Sequence, residues 1–216
     1  MASRLFEIKK NQLQMVRRRG YSIEREQNLL QITAEEFEEA YIPFAEQQKK
    51  SLRTVLSQLY EKENGEKLYV YYADAPADKS QLGVDIIGDA IQEMDRFKSK
   101  NGIIITSKQL SSSARKQIEG LVSYNVSIFM EDEMLYDPTA HYLTPEHIGL
   151  TPDVQRDLLK RNKINLDQLP IILTSDMIAR YYGFKVGQVI QINRVNLYET
   201  IVPHSVAYRV VKEDIS

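Results

Sequence analysis

The chain has 216 residues, of which 43% are hydrophobic and 27% are charged, and its formal net charge at pH 7 is -2. This composition is typical of a globular protein and argues against a disordered chain and against a protein whose main task is to wrap nucleic acid. Because the chain contains no cysteine and no apolar run near the roughly 20 residues of a membrane span, disulfides and thiolate metal sites are excluded, and we expect an intracellular protein without a membrane partner.

The first predicted element is an amphipathic helix over residues 3–19, which Gly20 terminates. It ends in three cations: Arg17, Arg18 and Arg19. Cations at a helix C-terminus complement the helix dipole and are usually solvated, whereas the alternative is a local phosphate-binding patch. Downstream, Thr33 and Glu36 have the spacing of a capping box and predict a second helix, and helical spacing resumes over residues 52–59.

The middle of the chain alternates between strand and helix patterns. The predicted order is strand 68–73, helix 84–97, strand 103–105, helix 111–121 and strand 126–130. Such alternation predicts a largely parallel sheet with right-handed crossovers. Periodicity is lost over residues 131–140, so we expect an N-terminal α/β domain at residues 1–135 and a small α+β domain at residues 136–216.

The C-terminal domain contains clear helix-capping signals. Thr151 followed by Pro152 predicts the start of one helix. Ser175 is expected to cap a second helix, with Asp176 in its first turn and Gly183 as its left-handed stop. We expect a strand over residues 188–194 and a second strand that closes the chain.

A specific resemblance rests on residues in this second half. The residues that match are Ser175, Asp176, Ala179, Gly183, Lys185, Gly187, Val189, Ile192, Arg194, Tyr208 and Arg209. They resemble the C-terminal domain of the fifth-largest subunit shared by eukaryotic nuclear RNA polymerases, a domain with a similar counterpart among the small subunits of archaeal RNA polymerase. Residues 141–147, 158–159 and 168–170 fit the same family, and residues 15–21 with Phe37 and Tyr41 extend the resemblance over nearly the whole chain.

The resemblance implies a non-catalytic subunit of a multi-subunit, DNA-dependent RNA polymerase that needs no cofactor or metal of its own. The C-terminal domain would dock on the largest subunit, and the N-terminal domain would be a nuclease-like jaw near downstream DNA, with weak contacts at Arg17, Arg18 and Arg19. The expected partner-binding residues are His141, Pro145, His147, Leu169, Pro170, Ser175, Asp176, Gly183, Gly187, Val189, Arg194, Tyr208 and Arg209.

The sequence also departs from the family pattern. Met177 stands where the family usually has proline, Val186 occupies a usually basic or proline position, and residues 196–204 form a longer segment than usual. These changes suit a large DNA virus that encodes its own polymerase, or a specialised eukaryotic paralogue. The resemblance therefore implies a nuclear protein if the gene is cellular, and one of the virion or the viral factory if it is viral.

The competing hypothesis is a free-standing, magnesium-dependent nuclease. Asp74, Asp78, Lys79, Asp85 and Asp89 supply the carboxylates and the lysine that such chemistry uses. However, no acidic residue followed two positions later by lysine lies on the strand predicted after them, so we expect solvated carboxylates and no catalysis. The three histidines lack zinc-site spacing, and we expect His141 and His147 to bond backbone groups or a partner. A third hypothesis is an adaptor that uses the C-terminal domain outside any polymerase.

Overall fold

The computed structural model describes residues 2–76, 78, 80–195 and 204–214. The chain divides into two compact units, Met1–Tyr136 and Asp137–Ser216, which we call unit 1 and unit 2. Each unit combines helices with a small sheet of its own, so the predicted fold class is confirmed. Within the described ranges, no helix has both the length and the apolar character needed to cross a membrane.

The part of unit 1 that the structure describes contains five α-helices and a four-stranded sheet. The helices are α1 (Ala2–Arg18), α2 (Ala34–Gln47), α3 (Leu52–Leu56), α4 (Val84–Arg96) and α5 (Ser112–Glu119). The strands are β1 (Gln58–Glu61), β2 (Lys67–Tyr72), β3 (Asn101–Thr106) and β4 (Asn125–Met130). Two 3-10 helices, Glu24–Leu30 and Glu133–Leu135, complete the unit. The capping box at Thr33 and the left-handed residue Gly20 (φ 84°) are confirmed.

The strand order in this sheet is β1-β2-β3-β4, with the last three strands parallel and β1 antiparallel to β2. The helical spacing expected through residue 59 is wrong, because Leu59 lies in β1 opposite Tyr69. Helix α3 ends at Leu56, and the Ser57 hydroxyl accepts a hydrogen bond from the Tyr72 N–H at 2.9 Å. This segment therefore pairs with the sheet as a strand, although its local sequence pattern favours a helix.

Helices cover both faces of the unit 1 sheet. On one face, Tyr71 and Ile104 pack against α4 and α5, whose buried residues include Ile87 and Ala114. On the other face, the Tyr72 hydroxyl lies 3.3 Å from the Gln12 Oε1 of α1. The near-continuous apolar sequence of β2 and β3 is explained by this burial on both sides.

The described residues of unit 2 form a second four-stranded sheet and two short α-helices. Its helices are α6 (Pro152–Asn162) and α7 (Met177–Tyr182), with a 3-10 helix at Leu166–Gln168. Its strands are β5 (Glu146–Gly149), β6 (Ile171–Leu173), β7 (Val189–Val195) and β8 (His204–Lys212). The sheet order is β5-β7-β8-β6, in which only the β6–β8 pair is parallel. The predicted Thr151 cap is confirmed, since its side chain accepts from the Val154 N–H.

The two faces of this sheet carry different helices. Face A, which carries α7, buries Ile172, Ile190, Ile192 and Val211 around Ala179. Face B buries Val189 and Val210, with Leu158 and Leu159 of α6 packed against them. Because opposite residues of paired strands share a face, the strand register assigns each remaining side chain of the sheet to face A or face B.

Candidate functional site

Helix α7 begins at one rim of face A, and its cap differs from the predicted one. Asp176, not Ser175, is the N-cap residue: its Oδ1 accepts from the N–H groups of Ile178 (2.8 Å) and Ala179 (3.3 Å). The Ser175 hydroxyl instead donates to Asp214 Oδ1 at 2.6 Å. Asp outcompetes Ser here because its charged carboxylate also stabilises the positive end of the helix dipole.

His147 occupies face A, since it lies opposite Ile192 in the β5–β7 ladder. Its Nδ1 is 2.7 Å from the Pro145 carbonyl oxygen, which is the backbone bond expected for this imidazole. Burial is the main cause that lowers the pKa of His147, and the positive charges of Arg194 and Arg209 lower it further. The Pro145 carbonyl and the Asp176 carboxylate oppose that shift.

The two arginines share this face with the histidine. Arg209 lies opposite Ile190, and Arg194, which is exposed, lies opposite Ser205. The Arg209 guanidinium also donates from Nη1 to the Ile171 carbonyl oxygen at 2.9 Å. Face A therefore carries the imidazole of His147 beside three charged side chains, those of Asp176, Arg194 and Arg209, and we call these four residues the face A cluster.

Other expected partner-binding residues have structural positions in the core, the strand junctions and the helix ends of unit 2. Val189 and Leu169 are buried in the face B core, and the partly buried Tyr208 packs against the same cluster. The Pro170 carbonyl accepts from the Val210 N–H at 2.9 Å, so this proline belongs to the β6–β8 junction. Gly183 has the predicted left-handed conformation (φ 67°, ψ 37°) as the C-cap of α7.

The remaining expected positions lie in turns and in the approach to β5. Gly187 also has a positive φ, of 82°, and precedes β7. His141 stacks on Tyr142 with ring centroids 4.9 Å apart, and its Nδ1 accepts from the Leu143 N–H at 3.2 Å. The unusual segment at residues 196–203 lies outside the described residues.

Sequence reasoning did not find β5, although His147 lies on it. The strand has only four residues, and a single alternation of His147 and Ile148 is too short for a periodicity signal. Its outward-facing apolar residue Ile148 is 40% exposed, and Val206 on the same face of the sheet is 54% exposed. Both belong to face B, since Ile148 lies opposite Gln191 and Val206 opposite Asn193.

In unit 1, Arg17 and Arg18 are exposed in the last turn of α1, and Arg19 follows the helix, which ends one residue earlier than predicted. The carboxylates of the nuclease hypothesis do not assemble there. Among the described residues, no group of three or more His, Cys, Asp or Glu side chains is arranged to hold a metal ion. Asp74 lies 3.9 Å from the Arg53 guanidinium, Asp85 lies in the first turn of α4, and Lys79 is outside the described residues.

Known proteins match both units of the chain. The family model of the RNA polymerase Rpb5 N-terminal domain matches residues 1–94, and that of the Rpb5 C-terminal domain matches residues 136–211. The DNA-directed RNA polymerases I, II, and III subunit RPABC1 of Caenorhabditis briggsae is 32% identical over 194 residues, covering 88% of this chain and 89% of that protein.

Other eukaryotes have similar relatives. The DNA-directed RNA polymerase subunit 5-like protein 1 of Arabidopsis thaliana is 30% identical, covering 89% of each chain. The subunit rpabc1 of Dictyostelium discoideum is also 30% identical, covering 89% of this chain and 90% of that protein. With both domain models matched in order and relatives aligned over most of their length, the chain belongs to the Rpb5 family and is a non-catalytic subunit of a DNA-directed RNA polymerase.

Proposed function

We propose that unit 2 docks on the largest subunit of the polymerase through the face A cluster. The observation that supports this most strongly is the convergence of His147, Asp176, Arg194 and Arg209 on one face of a small sheet. A guanidinium makes planar, paired hydrogen bonds to carboxylates, so two arginines beside an imidazole favour an acidic partner surface. The buried residues Leu169 and Val189 and the turn residues Gly183 and Gly187 support this surface from below.

Unit 1 is the jaw in this proposal, close to downstream double-stranded DNA. Its support is the exposed position of Arg17 in the last turn of α1, where a phosphate would meet a cation. Because the chain has a net charge of -2, this contact is local and weak. We also propose a nuclear location, on the ground that the relatives are subunits of eukaryotic RNA polymerases.

The docking proposal is tested by replacing Arg194 with glutamate in the full chain. Because Arg194 is exposed, we expect the Arg194→Glu variant to keep the wild-type melting temperature. When the variant is purified through a tag, about tenfold less of the largest polymerase subunit should co-purify with it. The matched control is Arg156→Glu on α6, whose side chain is 73% exposed beside Asp153. Equal recovery of the largest subunit with Arg194→Glu and with Arg156→Glu would count against the face A cluster.

The DNA contact is tested separately in the assembled polymerase. We expect Arg17→Glu to weaken binding of downstream DNA by a small factor that shrinks as salt is raised, because each phosphate contact releases bound counterions. Lys160→Glu, in the last turn of α6, is a control with the same charge change in unit 2. DNA binding that is unchanged at low salt in Arg17→Glu would remove Arg17 from the proposed jaw.

A further inference from the structure

The two edge strands of the unit 2 sheet differ in how their free backbone groups are used. On β6, the groups that point away from β8 belong to Ile171 and Leu173, since Pro170 and Thr174 bond β8. The Ile171 carbonyl accepts from Arg209 at 2.9 Å, and the Leu173 carbonyl accepts from the Asp176 N–H at 3.1 Å. The outward carbonyls of β6 are thus occupied by groups of the chain itself, a usual protection of a sheet edge.

Among the described residues, no group occupies the outward backbone atoms of β5 in this way. The Leu150 N–H donates to the Val189 carbonyl at 2.9 Å, so by the alternation of an antiparallel ladder Ile148 and Glu146 bond β7. His147 and Gly149 therefore point their N–H and C=O groups away from the sheet. No hydrogen bond joins these outward groups to any other described residue.

We infer that β5 is a strand-addition site, at which an extended segment of the polymerase partner pairs with the backbone of His147 and Gly149. This inference rests on the proposed docking of unit 2 and identifies how the partner binds. Two donors and two acceptors that alternate along one strand edge match an extended backbone, which repeats its own groups with the same period. The interior of a helix in the partner has no backbone groups to offer such an edge, because those groups are bonded within the helix.

The side chains beside the edge define the chemistry of the added segment. Residues that pair with His147 enter face A, the face that also carries Arg194 and Arg209, so an acidic side chain is expected there. Residues that pair with Ile148 enter face B, where this isoleucine is 40% exposed. The partner segment is therefore extended, with acidic residues on one face and apolar residues on the other. Its acidic residues lie on face A, so the strand pairing and the face A cluster contact the same partner surface.

The first test measures amide hydrogen exchange in the wild-type full chain, free and in polymerase purified through a tag on this chain. The amides of His147 and Gly149 are expected to exchange fast in the free chain and to be protected in the polymerase, because only the added strand supplies their acceptors. Assembly with both amides still unprotected would overturn the inference and leave the proposed docking intact. Failure of the wild-type chain to assemble at all would overturn both.

The second test compares two replacements at one position. His147→Pro removes the outward N–H and leaves the β7 bonds of Glu146 and Ile148 in place, and proline is tolerated on edge strands. His147→Ala removes the imidazole and keeps the N–H. We expect His147→Pro to recover about tenfold less largest subunit than His147→Ala does, with similar far-UV circular dichroism for both variants.

Two outcomes of that comparison contradict the inference. If both replacements reduce recovery equally, the imidazole and not the backbone makes the contact. If the free chain forms a dimer that His147→Pro dissociates, the occupant of the edge is a second copy of this chain and not a polymerase segment. The hydrogen-exchange test needs no replacement, so it remains decisive if His147→Pro fails to fold.

Discussion

Lys9 and Glu26 form a buried ion pair in unit 1, with the Lys9 Nζ 2.9 Å from the Glu26 Oε1. The side chain of Lys9 is fully buried and that of Glu26 is 12% exposed. The ammonium also donates to the Tyr60 hydroxyl at 2.9 Å and the Leu56 carbonyl at 3.1 Å, so its three hydrogens all have acceptors. Burial lowers the pKa of Lys9, and the Glu26 carboxylate opposes that shift.

This ion pair predicts a large effect for the loss of one partner. Lys9→Met leaves the Glu26 carboxylate without its cation in a poorly solvated site, so we expect the free energy of unfolding to fall by about 3 kcal/mol in urea titrations. Lys10→Met, at the neighbouring partly exposed lysine, is the control, with an expected change below about 0.5 kcal/mol. Similar losses in the two variants would contradict a special role for Lys9.

The buried carboxylate of Glu131 should make the stability of unit 1 depend on Arg53 in the same way. Both the Nε and the Nη2 of Arg53 lie 2.8 Å from the Oε1 of Glu131, whose side chain is 5% exposed. This contact joins α3 to the end of β4. We expect Arg53→Lys to destabilise unit 1 by about 1 to 2 kcal/mol in thermal unfolding, because lysine keeps the charge but lacks the planar pair of N–H donors that a guanidinium holds in fixed geometry. Arg96→Lys, at an exposed pair with Glu93, should change little, and a larger effect there would contradict the prediction.

The left-handed backbone conformation of Gly183 should make the stability of unit 2 sensitive to replacement of this glycine. Its φ of 67° is unfavourable for a β-branched residue, so Gly183→Val is expected to cost about 2 kcal/mol in chemical denaturation, while Gly183→Asn costs less. Gly88 is the matched control, because it lies within α4 and an added Cβ would have open space around it. Gly88→Ala should therefore raise stability by about 0.5 to 1 kcal/mol. An unchanged unfolding curve for Gly183→Val would refute the left-handed conformation.

The ionisation of Asp214 should make the stability of unit 2 depend on pH. The hydrogen bond from the Ser175 hydroxyl is the main cause that lowers the pKa of this carboxyl below its usual 3.8. Since the folded state favours the carboxylate, its stabilising effect is present above pH 3.8 and is lost as the pH falls through the lower folded-state pKa. We expect Asp214→Asn to lower the melting temperature near neutral pH, and its difference from wild type to shrink in acid.

The same hydrogen bond can be measured directly by NMR titration of the Asp214 carboxyl. The midpoint should lie below 3.8 in the wild-type chain and should move upward in Ser175→Ala, which lacks the donating hydroxyl. A midpoint that is identical in the two proteins would show that the Ser175 bond is not formed in solution.

Local signals in the sequence were sufficient for the capped helices and the central strands. Thr33, Ser111 and Thr151 each accept the amide hydrogen bond that an N-cap accepts, because capping depends on residues within one helical turn. The apolar runs of β2 and β3 were also predicted, since burial on both faces leaves little polar sequence. A separate set of residues, most of them between Ser175 and Arg209, carried enough information to identify the family.

The tertiary structure alone determined the elements and contacts whose energy comes from distant residues. The short strands β1 and β5 have no periodicity of their own and form because β2 and β7 supply their hydrogen bonds. Nothing in the local sequence distinguishes Lys9 from the other charges of an amphipathic helix, and only the packing of Tyr60 and Glu26 around it makes it a buried ion pair. The face A cluster has the same origin, because strand pairing brings His147 close to Arg194 and Arg209, which are distant in the chain.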